Sequence, residues 1–282
     1  MDGSRLPEDA PAPANRPTVA PHTPERILAL RRWAPALVSL RTTRAAGFRF
    51  RPGHYARLGL DDANGCPVWR PFSIVSAAYD SHLEFVATLV PGGAFSSLLA
   101  GVREGGPILV DRTSYGFLTI DHFAPGDDLW LLATGTGIGP FLSILRDPAT
   151  WAAFRTVVVV HSVRRGAELA YRDEIAAIPR EELLATAPER LRYVPVVTRE
   201  VHAGALGARV PQLVDDGRLE AAAGVTLDPR RSRIMVCGNP ELGRALRPRL
   251  TARGFRVNRR SAPGHLAFEQ YWQPAPAPRS AA

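Results

Sequence analysis

The segment Leu129–Leu145 places three glycines between an apolar strand and an apolar helix. Gly135, Gly137 and Gly139 follow a Leu-Trp-Leu-Leu run, and Pro140 opens the predicted helix. Glycines lack the Cβ atoms that would keep a phosphate away from backbone N–H groups, and a helix N-terminus attracts anions. No Gly-Lys-Ser/Thr sequence follows, so the segment is not a P-loop. It predicts an anion-binding turn in an α/β fold; a tight structural turn without a ligand is the alternative.

Beyond Asp121 the pattern alternates strands with helices, which is typical of a parallel sheet with helices on both faces. The predicted strands are Leu129–Thr134, Thr156–Val163, Arg192–Thr198, Arg233–Gly238 and His265–Tyr271. The predicted helices are Pro140–Asp147, Ala167–Ile178, Val210–Asp215 (continuing towards Arg218) and Pro240–Arg253. Ligands of such sheets bind beyond the carboxyl ends of the strands. Four candidate motifs come at such ends: the glycine turn, His161–Arg165, Thr198-Arg199 and Cys237–Pro240.

Before Asp121 the chain has short, evenly spaced strands, which indicate an antiparallel barrel or sandwich. The candidates are Ala36–Thr43, His54–Leu60, Phe72–Ala77, Leu83–Leu89 and Ile108–Arg112. One helical segment, Phe95–Val102, follows Gly92-Gly93 and has Ser96 and Ser97 near its start. We predict a second phosphate cradle there.

Composition narrows the function classes. The net charge of +8 favours acidic or phosphate-rich partners, but the basic residues are scattered and no aromatic–basic platform for nucleic acid occurs. Two distant cysteines, Cys66 and Cys237, cannot form a disulfide scaffold, a zinc site or an iron–sulfur cluster, and we predict no metal site. No apolar run reaches membrane-spanning length, so we expect a soluble protein. Residues 1–25 are rich in Pro and Ala, lack a signal-peptide pattern and predict a disordered tail.

The residues after the second predicted strand of the α/β region indicate which dinucleotide would bind. NAD-binding proteins have an acidic residue near this position that binds the ribose hydroxyls, whereas NADP-binding proteins have an arginine that binds the 2′-phosphate. The chain has Arg164 and Arg165, which indicate NADP, and Arg199 and Arg209 are candidates to join them. A solvated basic face is the alternative.

The stretch Arg70–Ser76 carries the most specific pattern of the first half. Arg70 could neutralise a phosphate, Phe72 could stack on a ring system, and Ser73 could hydrogen-bond the ring's polar edge. Taken alone, an amphipathic strand with a buried Phe explains the same residues.

Six motifs together resemble the bacterial ferredoxin (or flavodoxin)–NADP reductases. They are RPFSIVS, GGAFS, LLATGTGIGPFLSILRD, VVVVHSVRRGAELAY, RIMVCGNPEL and GHLAFEQYW, in that order along the chain. The resemblance implies two domains, an antiparallel β-barrel that binds FAD (residues 26–122) and an α/β domain with a five-stranded parallel sheet that binds NADP (residues 123–272). A flexible tail, residues 273–282, would follow.

The resemblance also implies site residues. Those for FAD are Arg70, Pro71, Phe72, Ser73, Ala94, Phe95, Ser96, Thr136, Tyr271 and Trp272. Those for NADP are Gly135, Thr136, Gly137, Val163, Arg164, Thr198, Arg199, Arg209, Gly238, Asn239 and Pro240. Thr136 would touch both cofactors. Ser73, Cys237 and Glu269 would be the catalytic residues at the flavin and the nicotinamide. In one departure Phe72 stands where the family usually has tyrosine, and in another the chain continues ten residues past Trp272.

The implied activity is electron transfer between NADPH and a one-electron carrier through FAD, with hydride moving to flavin N5. We expect an acidic ferredoxin or flavodoxin as partner and a cytoplasmic monomer. The reductase component of an oxygenase system and a free flavin reductase are the alternatives within this class. A non-catalytic nucleotide-binding regulator is a more remote one.

Overall fold

The structure is a computed structural model and describes residues 20–184, 190–259 and 261–269. The strands are β1 (His22–Ala34), β2 (Leu37–Thr43), β3 (Tyr55–Asp61), β4 (Pro67–Ser73), β5 (His82–Thr88), β6 (Pro107–Tyr115), β7 (Asp128–Thr134), β8 (Thr156–Val163), β9 (Leu191–Val197), β10 (Ser232–Cys237) and β11 (Leu266–Glu269). The helices are α1 (Ala94–Gly101), α2 (Ile138–Leu145), α3 (Pro148–Ala153), α4 (Arg172–Ala177), α5 (Val210–Asp215), α6 (Arg218–Ala223) and α7 (Pro240–Ala252).

The first six strands form an antiparallel barrel, as predicted. Their order is β4-β3-β6-β1-β2-β5, and the two end strands meet where Ile74 bridges to Phe85. The Val75 N–H donates to the Glu84 carbonyl at 2.8 Å across this closure. Ile74, Phe85 and Leu58 are fully buried inside, so the barrel encloses its own apolar core.

Strand β1 corrects two predictions. It was not among the predicted strands, and His22–Glu25 belong to it rather than to a disordered tail ending at residue 25. The strand alternates buried Thr23, Glu25 and Ile27 with exposed residues, and it pairs with β6 at one end and β2 at the other. Pro and Arg residues mask this alternation in the sequence, because they lie on its exposed side.

Strand β4 also begins earlier than predicted, at Pro67 instead of Phe72. It forms a hairpin with β3, in which Tyr55 lies opposite Ser73. Strand β4 is the end strand of this order and pairs only with β3. A proline has no N–H group to donate, and an end strand tolerates this on the side that faces no neighbouring strand. The Arg70–Ser73 stretch is therefore the end of a strand, not its start.

The second sheet is parallel throughout and has the order β11-β10-β7-β8-β9, which confirms the predicted five-stranded parallel sheet. Strand β8 has the predicted bounds. Its valines, Val157–Val160, are buried on both faces of the sheet, and such a continuous apolar run is easily recognised as a strand. Helices α2, α3 and α4 cover one face, with Phe141, Trp151 and Ile175 in its core. Helices α5, α6 and α7 cover the other, with Leu213, Leu219 and Leu246.

Several helix bounds differ from prediction. Helix α2 begins at Ile138, so Pro140 is its third residue; its missing N–H still costs nothing, because the first four helical N–H groups have no partner within the helix. The predicted helix Ala167–Ile178 is interrupted by Tyr171, whose φ of 62° is left-handed. Helix α3 was missed, although Asp147 caps it and Pro148 follows.

Tyr171 connects the two sheets. Its ring is buried, lies 4.6 Å from the Trp33 ring, and its hydroxyl donates to Glu84 Oε1 at 2.8 Å. The other oxygen of Glu84 accepts from Arg41 at 3.0 Å. Burial and the neighbouring Glu84 charge raise the pKa of Tyr171 well above 10, so the hydroxyl keeps its proton. A buried carboxylate of the barrel is thus satisfied by a residue of the α/β domain.

We expect Tyr171→Phe to lower the free energy of unfolding by about 1.5–3 kcal/mol, because the charged and buried Glu84 carboxylate would lose a hydrogen bond. Urea titration measures the change. Tyr79→Phe is the matched control, since that ring is 52% exposed and its hydroxyl bonds no described residue. Equal stability of the two variants would contradict this role of Tyr171.

Candidate active site

The glycine-rich turn packs directly against the loop that follows β10. A Cβ atom on Gly137 would lie 2.3 Å from the Cys237 carbonyl oxygen, and one on Gly238 would lie 2.3 Å from Thr134 Oγ1. Thr134 Oγ1 also accepts from the Asn239 N–H at 2.7 Å. Only glycine permits these contacts, so the structure brings together two of the motifs predicted to meet at the sheet edge.

The start of helix α2, directly after this turn, contacts the barrel. A Cβ on Gly139 would lie 3.3 Å from Ser73 Cβ and 3.2 Å from Val86 Cγ1. Ser73 is buried, yet its hydroxyl makes no hydrogen bond within the described ranges. Although the residue as a whole is buried, its hydroxyl oxygen is not enclosed and is therefore available to a ligand. The end of β4 and the start of α2 therefore form one seam between the domains.

Glu269 reaches this seam from the other side. It ends β11, lies beside Cys237 in the sheet register, and its Oε1 would be 3.3 Å from a Cβ on Gly116 of the barrel. Burial raises the pKa of Tyr55, and the Glu269 carboxylate raises it further, so the carboxylate and the phenol are neighbours. The Cys237 side chain is buried in the core under α2.

Sequence reasoning missed Tyr55 and Tyr115. Tyr55 lies opposite Ser73 in the hairpin, and its ring stacks on Tyr115 with centroids 5.6 Å apart. The only available signal was a tyrosine at the start of a predicted strand, and its place opposite Ser73 depends on the β3–β4 register. Two further aromatic rings therefore border the seam.

The remaining FAD candidates of the barrel lie together. The Phe72 and Phe95 rings are 5.1 Å apart, which links Arg70-Pro71-Phe72 to the start of α1. The N-cap of that helix, Gly93, supplies no side chain, so the first N–H groups, those of Ala94, Phe95 and Ser96, lack a cap. The Ser96 hydroxyl accepts from the Val90 N–H at 2.9 Å and holds the preceding turn.

Arg70 is exposed. Its Nη1 donates to the Trp69 carbonyl at 2.7 Å, which leaves its other N–H groups available. Tyr271 and Trp272, the last two FAD candidates, lie outside the described residues.

Arg164 and Arg199 are held side by side at adjacent strand ends. The Arg199 N–H donates to the Arg164 carbonyl at 2.9 Å, and Thr198 bonds the Val163 carbonyl through both its N–H and its hydroxyl. Arg209 follows the loop that returns to β9, just before α5. All three arginines are exposed, and none of their guanidinium groups pairs with the part of the chain that the structure describes.

Arg165 differs from its neighbour. It lies 3.4 Å from Glu200, whose other oxygen accepts from the Gly166 N–H at 2.7 Å. The Glu168 carboxylate accepts from the N–H groups of Arg164 and Arg165. These two glutamates shape the loop, and of the two neighbouring arginines only Arg164 keeps an unpaired guanidinium group within the described ranges.

A groove of about 460 Å³ lies next to Glu269, on the outer side of β11. Phe268 and Phe117, the latter 62% exposed, provide apolar surface. The Arg247 guanidinium lies 4.6 Å from the centre of the Phe268 ring, and Arg259 is exposed at the rim. The groove is therefore both apolar and basic.

No helix within the described ranges combines the length and apolar character needed to cross a bilayer.

Known proteins resemble both the sequence and the fold. A family model for an oxidoreductase NAD-binding domain matches residues 131–247. The chain is 40% identical over 255 residues to ferredoxin–NADP reductase A of Sorangium cellulosum (strain So ce56), across 88% of this chain and 90% of that protein. It is 37% identical to the ferredoxin–NADP reductase of Pseudomonas aeruginosa (strain PAO1), across 87% and 96%.

Among solved structures, a ferredoxin NADP+ reductase from Neisseria gonorrhoeae with bound FAD and NADP has a TM-score of 0.84 and 36% identity. The match covers 90% of this chain and all of that one. Identities of this size over nearly the whole length of both chains, with the same two-sheet architecture, show that the chain belongs to the ferredoxin (flavodoxin)–NADP reductase family.

Proposed function

We propose that this protein is an FAD-dependent oxidoreductase that transfers electrons between NADPH and a ferredoxin or flavodoxin. One observation carries the proposal: the barrel, through Ser73 and Gly116, meets the carboxyl edge of the parallel sheet, through Gly139 and Glu269. A ring system held on the barrel would lie where an α/β sheet binds its nucleotide. The two relatives and the solved structure named above support the same activity. We propose the domain division between Tyr115 and Asp128, in keeping with the predicted one after residue 122.

The described residues fit a flavin nucleotide. Half-buried Phe72 and Tyr55 offer ring faces, the uncapped start of α1 offers N–H groups for a pyrophosphate, and Arg70 offers a guanidinium. Nothing lies within 4 Å of the position of a Cβ on Gly92 or Gly135, so both turns leave room for a phosphate. Phe72 retains the stacking face of the family's tyrosine without its hydroxyl.

FAD bound here would supply the redox chemistry, as the hydride acceptor for NADPH and the one-electron donor to the carrier. The chain's own residues position and shield that chemistry. Ser73 would offer its hydroxyl to the polar edge of the ring, and the backbone of Cys237 and Gly238 would border the nicotinamide side, because the Cys237 side chain is buried in the core. Glu269, half-buried beside Tyr55, places a carboxylate at this edge. Thr136, in the turn between the domains, borders both cofactors.

The NADP assignment rests on the pairing of the arginines. Arg164, Arg199 and Arg209 retain all their guanidinium donors for the 2′-phosphate, whereas Arg165 is engaged by Glu200. Val163 and Thr198 hold the two strand ends together, while Asn239 and Pro240 fix the start of α7 beside the glycine turn. The geometry thus favours NADP over NAD.

The apolar, basic groove beside Glu269 suits an acidic protein carrier. Its phenylalanines offer contact area close to the flavin edge, and the arginines favour an acidic surface and steer its approach. A reductase component of an oxygenase would usually carry an iron–sulfur cluster, which two cysteines in the whole chain cannot hold. The acidity of the carrier, a monomeric state and a cytoplasmic location belong to the same proposal.

The activity is tested directly by absorbance. We expect the purified protein to be yellow, to be bleached by NADPH far more than by NADH, and to reduce ferredoxin and flavodoxin when the two are compared side by side. A free flavin reductase would instead release reduced flavin and bypass the carrier. A colourless protein that stays inactive after FAD is added would contradict the proposal.

Arg164→Ala is expected to raise the KM for NADPH roughly 10- to 150-fold, because one charge-assisted contact contributes about 1.5–3 kcal/mol. The KM for NADH should stay nearly unchanged. Arg165→Ala is the matched control and should have a much smaller effect, since that side chain pairs with Glu200. Steady-state kinetics with both nucleotides measures this. Equal losses with NADPH and NADH, or equal effects of the two variants, would refute the assignment.

Arg247→Glu is expected to slow carrier reduction roughly tenfold at low ionic strength and to approach the wild-type rate at high salt, because it reverses a steering charge. Arg192→Glu makes the same change of charge at the exposed, opposite edge of the parallel sheet and should have little effect. Stopped-flow measurement separates carrier reduction from flavin reduction by NADPH. A rate that does not depend on salt in the wild type would contradict electrostatic docking.

A further inference from the structure

A buried histidine lies beneath the glycine-rich turn. His161, on β8, is completely buried, and its Nε2 is 3.2 Å from the Gly135 carbonyl oxygen. Its Nδ1 is 3.4 Å from the Tyr193 hydroxyl on the neighbouring strand β9. Burial lowers the pKa of His161 to about 4, although the bond to Gly135 opposes that shift, so the ring is neutral at neutral pH. The activity described above makes no use of this residue.

The partners of His161 determine its tautomer. A carbonyl oxygen can only accept, so Nε2 carries the proton and donates to Gly135. Nδ1 is then the acceptor, and the Tyr193 hydroxyl donates to it. Burial raises the pKa of Tyr193, which keeps that hydroxyl protonated. The result is a directed chain of hydrogen bonds from Tyr193 through His161 to the turn.

Fixing the Gly135 carbonyl also fixes the next N–H group. The Gly135 carbonyl and the Thr136 N–H belong to one planar trans peptide, so they point in opposite directions. The histidine and the Ile138 N–H both donate to this carbonyl, and the Thr136 N–H faces the opposite side. As one of the first N–H groups of the Gly135–Gly137 turn, it has no acceptor within that turn. Gly135 itself has a left-handed φ of 53°, and only open space surrounds its Cβ position.

We propose that His161 is a positioning residue that, through the Gly135 peptide, aims the Thr136 N–H at bound NADP, with Tyr193 holding the imidazole ring in its orientation. This inference rests on the proposed function. It adds a residue beneath the site that contacts no ligand itself. The turn is then held from two directions, by His161 below and by the Cys237 carbonyl against Gly137.

Substitutions at His161 test the proposal through NADP+ binding, measured by isothermal titration. His161→Leu removes the donor and should weaken binding about two- to tenfold, the loss expected when one neutral hydrogen bond no longer orders the turn. His161→Gln retains an N–H donor of similar reach and should recover most of the affinity. FAD content and the unfolding temperature show whether each variant is folded. Unchanged binding in the leucine variant, or a glutamine variant no better than leucine, would overturn the proposal.

Nuclear magnetic resonance gives a test that needs no change at His161. We expect the wild-type ring nitrogens to show only the Nε2–H tautomer, and the Thr136 amide signal to shift when NADP+ is added. In Tyr193→Phe the Nε2–H tautomer should persist, because the Gly135 carbonyl can only accept, and the ring loses only its second hydrogen bond. A Thr136 amide that does not respond to NADP+, or an Nδ1–H tautomer in the wild type, would refute the positioning role.

The proposed function and the proposed role of His161 would be contradicted by different results. A wild-type protein that holds FAD but does not bind NADP+ would contradict the proposed function. Normal wild-type binding together with an unaffected His161→Leu variant would contradict only the role of His161.

Discussion

The close approach of backbone segments at the carboxyl edge of the parallel sheet is the constraint on which the site depends. Gly137 lies so close to the Cys237 carbonyl that a Cβ atom has no room, and Gly139 lies in tight contact with Ser73 and Val86. These contacts place the barrel, the nucleotide-binding turn and the loop after β10 in one fixed arrangement. Backbone atoms set the contact of Gly137 with Cys237, whereas the barrel meets Gly139 through the side chains of Ser73 and Val86. Hydride transfer requires precise positioning of this kind.

Arginine has two distinct uses in this chain. Arg41 and Arg165 pair with carboxylates and shape the protein, whereas Arg164 and Arg199 remain exposed and unpaired within the described ranges. Exposed ion pairs add little stability, so pairing at the surface serves mainly to orient loops. The three arginines proposed to bind the 2′-phosphate differ from Arg165 in that they have no carboxylate partner within the described ranges.

The domains are joined by buried polar contacts as well as by the glycines. Glu84 of the barrel accepts from Tyr171 of the α/β domain, and Tyr171 adopts a left-handed backbone that its burial and this bond hold in place. Such a contact is specific, because separating the domains would leave a carboxylate without its donor. The hydrogen bond between Tyr171 and Glu84 therefore helps to hold the two domains in the arrangement that brings Ser73 to Gly139.

Local patterns in the sequence were enough to predict the parallel sheet, an antiparallel barrel or sandwich, and the meeting of four motifs at one edge. Only the resemblance to the reductase family indicated the barrel. The valine run of β8 and the glycines after β7 act through burial and chain topology, which are readable residue by residue. The tertiary structure alone decided that β1 pairs on two sides, that Tyr55 faces Ser73, and that Glu200 engages Arg165 and leaves Arg164 unpaired. These features depend on strand register and on contacts between residues far apart in sequence, which no local periodicity encodes.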